Sequence, residues 1–374
     1  MLSGMPVVDA VVHAFNFTTS NFANKYGREF ADRITRASML GPQGFTLGNA
    51  DEYRRDWSVD DVARVTFAES DTDLAAYHVL PIMAFKDGAC SIEKAVHARA
   101  RWPKRFAFYV GVDALTGKDA LDEMERQYEL LGGDVVGVKL YPNSWIGERI
   151  RSWKMNNSEI AFPIFEKALA MGLKAVAVHK ALPLGAVEMD HYRVDDIDRA
   201  AMEFPDLNFE IVHGGMAFVE ETAYQIRRFP NVFVNLESTS SLLTIRPAAW
   251  ERVMAAFMES AQMRKKILWG TGGLMVIHPR AALGAFERFQ FRQETLEGEG
   301  IAQISEQDRR DVLAENFARM TGIDIAGRLR SVQDDEFARL QREMGGPMAP
   351  FSTAPTDTSP RDTGVLVGEA EPAS

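Results

Sequence analysis

Four side chains able to ligate a metal close four short apolar runs. His13 follows Val7–Val12, His179 follows AVAV, His213 follows FEIV and Glu237 follows VFVNL. Imidazole nitrogens and a carboxylate oxygen, with no soft thiolate beside them, suit zinc, manganese or non-haem iron. A lone histidine at the end of such a run is more often structural than a ligand. Four ligand-type residues at four run ends point to a metal site.

Lys139 sits near the end of a fifth run, VVGVKLY. A buried ammonium titrates readily, which permits catalysis as a carbamylated bridge or a substrate-positioning cation; a plain ion pair explains it equally well. The segment after His179 carries Glu188, Asp190, His191, Asp195 and Asp196. Most of these read as solvated charges or as a helix cap near Asp196. His191 is the catalytic candidate among them, with Glu188 the other residue able to swing in as a ligand. Trp145, Arg149 and Arg151, flanked by Trp153 and Lys154, form a candidate substrate-binding cluster. Cations and aromatic rings at a site's mouth suit a coenzyme A thioester, and a solvated charged face gives the same pattern. His78 and His97 read as structural, and His278 before Pro279 as a helix start. GTGG at 270–273 matches no phosphate-binding loop.

The runs holding the candidate ligands are continuous in Val, Ile and Phe, as in strands buried on both faces. Helix-length segments separate them, which predicts parallel βα units closed into one (β/α)8 TIM barrel over residues 1–348. Strands are expected at 7–12, 77–85, 106–112, 135–141, 174–179, 208–213, 232–237 and 267–271. Helices are expected at 91–101, 120–131, 159–171, 196–204, 218–228, 247–263 and 278–289, with an extra one at 306–321. Ser58 and Asp61 resemble a capping box. Alternation puts Asp9, Val11 and His13 on one face, with Lys139, His179, His213 and Glu237 at the inner rim. Residues 17–57 are too long for an ordinary connection, and are expected to be an insertion that lids the active-site face. From Ala349 the chain turns to Pro, Thr, Ser, Gly and acidic residues, which predicts a disordered tail over 349–374.

The 374 residues carry a net charge of −11, which argues against nucleic acid as the main partner. One cysteine, Cys90, excludes an internal disulfide framework and suits a reducing cytoplasm. The N-terminus lacks a basic segment followed by an apolar one, and no run approaches the roughly 18 apolar residues of a membrane span. The expectation is a cytoplasmic protein without a membrane partner.

VVDAVVHAF, GVKLYP, AVAVHK, FEIVHGG, ILWGTGG and LAENFARMTGI together resemble the amidohydrolase superfamily, especially its decarboxylase branch, over about residues 5–325. The resemblance implies two histidines on strand one, a lysine on strand four, histidines on strands five and six, and an aspartate on strand eight. His13, Lys139, His179 and His213 match; Val11 stands at the first histidine and Gly272 at the aspartate. That aspartate ligates metal and moves the proton of the attacking water in the family, so hydrolysis here lacks its base. Glu237 supplies a carboxylate that the pattern does not require. The altered set is similar to the TIM-barrel non-haem diiron monooxygenases of platensimycin and platencin biosynthesis. That similarity implies two irons per chain, O2, an external electron donor, and a coenzyme A thioester of a diterpenoid as substrate in antibiotic biosynthesis. The alternatives are a mononuclear zinc or manganese hydrolase or decarboxylase, and a barrel that binds without catalysing. Barrels of this kind also form homodimers.

Overall fold

A computed structural model of the chain describes residues 1–147 and 149–353. Eight parallel strands lie side by side in chain order: β1 (Val8–Val12), β2 (Leu74–His78), β3 (Phe106–Gly111), β4 (Val135–Leu140), β5 (Ala175–His179), β6 (Asn208–Val212), β7 (Val232–Asn235) and β8 (Ile267–Leu268). The Ala10 N–H donates to the Trp269 carbonyl at 2.9 Å, and the Gly272 N–H to the Val11 carbonyl at 3.0 Å. The last strand therefore meets the first, and the sheet closes into the expected barrel.

Alternation along the strands sorts the core into two parts. Outward residues such as Phe106, Phe108, Val138, Val176 and Ile211 join the helices in the main apolar shell. Inward residues include several small ones, Ala10, Ala76, Ala175 and Ala177, beside larger ones such as Leu74, Tyr109 and Phe233. Small residues leave room inside the barrel for long polar side chains from other strands. Gly137 illustrates the constraint, because a Cβ there would lie 2.6 Å from the Tyr109 ring.

Several elements differ from expectation. β2 lies at 74–78 rather than 77–85, because beyond His78 the chain turns at Pro81 and Leu80 bridges to Cys90. Val79, Ile82 and Phe85 are apolar because they pack at the rim, not because they belong to a strand. The β1–β2 register shifts between Asp9 and Val12, so simple alternation from Asp9 to His13 fails. The segment after β4 forms a hairpin, Asn143–Ile146 paired with Arg149–Ser152. The helix expected at 247–263 divides into Pro247–Phe257 and Ala261–Arg264, the second capped by Ser260. The helix at 306–321 forms, with a π-turn at Asp311–Glu315.

Within residues 17–57 a 14-residue helix, α1 (Lys25–Ser38), lies across the strand C-terminal ends. Asn24 caps it by accepting from the Tyr26 N–H, and its amide donates to the Trp145 carbonyl at 2.9 Å. The Ser38 hydroxyl donates to the Met275 carbonyl. Of the expected tail, residues 354–374 lie outside the described residues, whereas Phe351 and Ser352 pack against the barrel and its insertion. The Phe351 N–H donates to Glu69 Oε2 at 2.7 Å, and its ring stacks on His278 at 5.5 Å. The same ring meets Tyr53 and Trp57 of the insertion edge-on.

Candidate metal centre

β5 ends at His179, and one residue past β6 His213 takes a left-handed φ of 67°. Two residues past β7 the chain reaches Glu237, buried like both histidines. These three side chains form one chain of contacts. His179 Nε2 lies 2.9 Å from the Leu182 carbonyl, and its Nδ1 lies 2.8 Å from His213 Nε2. His213 Nδ1 contacts Glu237 Oε2. The Ser238 hydroxyl donates to that same carboxylate oxygen at 3.0 Å, and the Glu237 N–H donates to Asn235 Oδ1.

Proton accounting exposes what this chain requires. A carbonyl and a carboxylate only accept, so both outer nitrogens, His179 Nε2 and His213 Nδ1, carry hydrogens. If both rings are neutral, the two inner nitrogens then face each other with lone pairs. That arrangement needs a cation between them, either a proton on His213 or a metal ion. Two nitrogens each roughly 2.1 Å from one ion lie about 3.0–3.4 Å apart, so the pair needs to open by only a few tenths of an ångström. Burial, reinforced by the His213 and Lys139 charges, also holds His179 well below its usual pKa, in the neutral form that ligation needs. The donor set therefore fits a divalent ion on His179 Nδ1 and His213 Nε2. Glu237 backs His213 in the way a carboxylate orients a metal-bound imidazole. Among the described residues no three His, Cys, Asp or Glu side chains stand as a closed cage, so further positions would fall to solvent or substrate.

His13 and Lys139 border this chain. Burial pushes the His13 imidazole down to about 3, and its Nδ1 lies 3.4 Å from the His78 carbonyl. Lys139 is buried, 5.3 Å above the Tyr141 ring that also stacks on His179. Desolvation lowers its ammonium to about 8, against the pull of Glu210 and Glu237. Gly272, with φ +74°, explains the position of Glu237. A Cβ at 272 would lie 2.4 Å from Glu237 Oε1, so the carboxylate occupies the space of a side chain on the strand-eight loop.

The other candidates are not gathered at this centre. His191 faces the exposed Glu188 at 3.6 Å, and its loop is fastened instead by Lys180. Lys180 Nζ donates to the His191 carbonyl and to Asp196, both at 2.7 Å, in a fully buried pair. Asp196 is thus no solvated cap. The hairpin splits the Trp145–Arg149–Arg151 cluster: Trp145 pairs with Ile150 and is buried under α1, while Arg149 and Arg151 are exposed on the opposite face.

Reading the sequence for ligands misses a polar layer beneath the centre. Glu210 accepts from Tyr109 at 3.0 Å and from the Asn235 amide, and burial raises it to about 7. A carboxylate inside NFEIV and an amide inside VFVN are the available signals. Asp9 is equally deep, accepting from the Thr271 N–H at 3.0 Å and from its hydroxyl, with desolvation pushing its carboxyl up to about 7. A carboxyl raised on folding stabilises the native state below its unfolded value, and that contribution is lost as pH rises through about 7. Asp9→Asn is expected to flatten the decline in unfolding free energy across this window, measured by urea denaturation from pH 4 to 8. An unchanged slope would place that decline elsewhere.

The sequence profile of the Amidohydrolase family (Amidohydro_2) matches residues 42–323. No curated protein sequence matches the chain. Among solved structures, an uncharacterised TIM-barrel protein from Bordetella bronchiseptica is 17% identical with a TM-score of 0.60, covering 87% of this chain and 100% of that one. The 2,6-dihydroxybenzoate decarboxylase from Rhizobium is 14% identical with a TM-score of 0.51, covering 86% and 99%. A dihydroxybenzoic acid decarboxylase from Polaromonas sp. JS666, with bound manganese and 2-nitroresorcinol, is 14% identical with a TM-score of 0.52, covering 87% and 99%. These likenesses agree with the barrel, and the chain belongs to the amidohydrolase family.

Proposed function

We propose that this protein is a non-haem iron monooxygenase built on the amidohydrolase barrel, hydroxylating an unactivated carbon of a coenzyme A-linked substrate. The observation that carries the reading is the exchange of carboxylates. Gly272 offers no base for an attacking water, and Glu237 fills its space while bound to His213 and Ser238. Two imidazole nitrogens, one of them backed by a carboxylate, suit iron. Bound iron would supply the reduction of O2, one atom entering a C–H bond and the other leaving as water, with two electrons from an external donor. The chain's own part is to hold the ion on His179 and His213, orient His213 through Glu237, and exclude water beneath α1. The buried Lys139 ammonium stands beside the reacting space as a positioning cation.

Family membership favours a second reading, a zinc- or manganese-dependent decarboxylase or hydrolase on the same histidines. Metal content by plasma mass spectrometry, on protein expressed with iron, zinc and manganese all supplied, separates the two. Bound iron and turnover that requires O2 and a reductant are expected for the oxygenase. One zinc or manganese per chain with anaerobic turnover would replace it by the second reading. In either case Glu237→Ala should weaken metal retention by roughly 10–100-fold, the usual effect of removing a partner that orients a ligand.

A further inference from the structure

The loops that follow the histidine–carboxylate chain line a cavity of about 240 Å³. It is larger than the roughly 150 Å³ apolar cavity that takes up a benzene molecule. Its floor comes from the residues that follow the site: Leu182 after His179, Met216 after His213, Ser238 after Glu237, and Met275–Ile277 after Gly272. Its roof is α1, through Arg33, Ile34, Ala37 and Leu40. The wall is otherwise almost wholly aliphatic. Arg33 is the only charged residue among those lining the cavity, and the same side chain lines the smaller adjoining cavity beside Trp145. Four lining residues, Arg33, Ala37, Leu40 and Met216, are exposed, so the cavity reaches the surface along α1.

We propose that this cavity binds the compact apolar body of the substrate between α1 and the loops after the strands, with one anionic group of that substrate at Arg33. The inference rests on the reading of the centre given above and narrows its substrate class. Apolar walls gain from burying a hydrocarbon body, and a guanidinium at the edge pairs with carboxylate or phosphate. Ser238 joins the two sites, since it lines the cavity while bonding to Glu237. A small polyhydroxylated substrate would leave its hydroxyls unpaired against this wall.

Isothermal titration calorimetry on the full chain, treated with chelator, tests the assignment with 1-adamantanecarboxylate and neutral 1-adamantanol as probes. Saturable binding of the carboxylate at one site is expected. Arg33→Ala should weaken the carboxylate by about tenfold and the alcohol by less than about twofold. Ala37→Trp, filling the roof from an exposed helix face, should weaken both by more than about tenfold while the thermal unfolding midpoint is retained. Absence of binding by both probes, or Ala37→Trp leaving it intact, would overturn the cavity assignment. Equal losses of the two probes in Arg33→Ala would overturn the anion position. Because no metal, O2 or reductant enters this measurement, probe binding to a protein that carried no iron as purified, before chelation, would keep the cavity and sink the oxygenase reading.

Discussion

Gly272→Ala is expected to destabilise the protein by about 2–5 kcal/mol, a large effect for one methyl group. Two causes add. A left-handed backbone at a non-glycine residue costs about 1–2 kcal/mol, and forcing a carbon into filled space costs about 1–3 kcal/mol. The new Cβ would stand 2.4 Å from Glu237 Oε1, and the carboxylate has little freedom to retreat because His213 and Ser238 hold its other oxygen. Combining Gly272→Ala with Glu237→Ala removes the collision with the carboxylate but keeps the backbone strain and the approach to Val276 Cγ2 at 2.7 Å. Urea denaturation of the cycle should therefore show a coupling of about 1–3 kcal/mol. Simple additivity would mean that the two positions do not share one space. Gly272→Asp with Glu237→Ala moves the carboxylate back to strand eight, and metal retention should recover above that of Glu237→Ala alone.

Asp196→Ala is expected to cost about 3–5 kcal/mol, the range for stranding one charge of a buried ion pair. Lys180 is fully buried and its ammonium is lowered by desolvation, so without Asp196 it must lose its proton or draw in water. The effect should reach the metal centre as well. Lys180 follows His179 directly and fixes the His191 carbonyl, while the Met155 N–H donates to the same Asp196 oxygen. Freed from these ties, the loop would no longer hold the Leu182 carbonyl against His179 Nε2. Lys180→Met together with Asp196→Leu should recover most of the stability, because apolar residues of similar volume replace a buried pair with little loss. A double variant as unstable as Asp196→Ala would show that the hydrogen bonds to the loop, not the buried charge, dominate.

Barrel and site were readable to different depths. Strand cores at 106–111, 135–140, 175–179, 208–212 and 232–235 follow from uninterrupted Val, Ala and Phe runs, since burial on both faces demands them. β2 was displaced because Val79, Ile82 and Phe85 are apolar for rim packing, a reason that looks the same as a strand in one dimension. α1 was hidden in a segment that reads as polar and aromatic, although Tyr26, Phe30 and Ile34 recur at helical spacing and Phe30 packs against Phe17 and Phe85. His179, His213 and Glu237 were accessible from their places at strand ends. Their geometry was not: the left-handed turn at His213 and the vacancy at Gly272 make Glu237 a partner of His213, and no pattern of residue types encodes that. The Lys180–Asp196 pair escaped notice for a related reason, as charges 16 positions apart in a polar loop give no sign of being buried together.

The contact of Phe351 with Trp57, Tyr53 and His278 sets an order on biosynthesis. The segment that pins the insertion's aromatic edge is made about 290 residues after the insertion itself. At ribosomal speeds of about 5–20 residues per second, that edge waits on the order of 15–60 s before its partner exists. The insertion's edge is thus pinned after the partners of α1, Trp145 and Met275, have already been made, so the helix over the centre can seat before that edge is held.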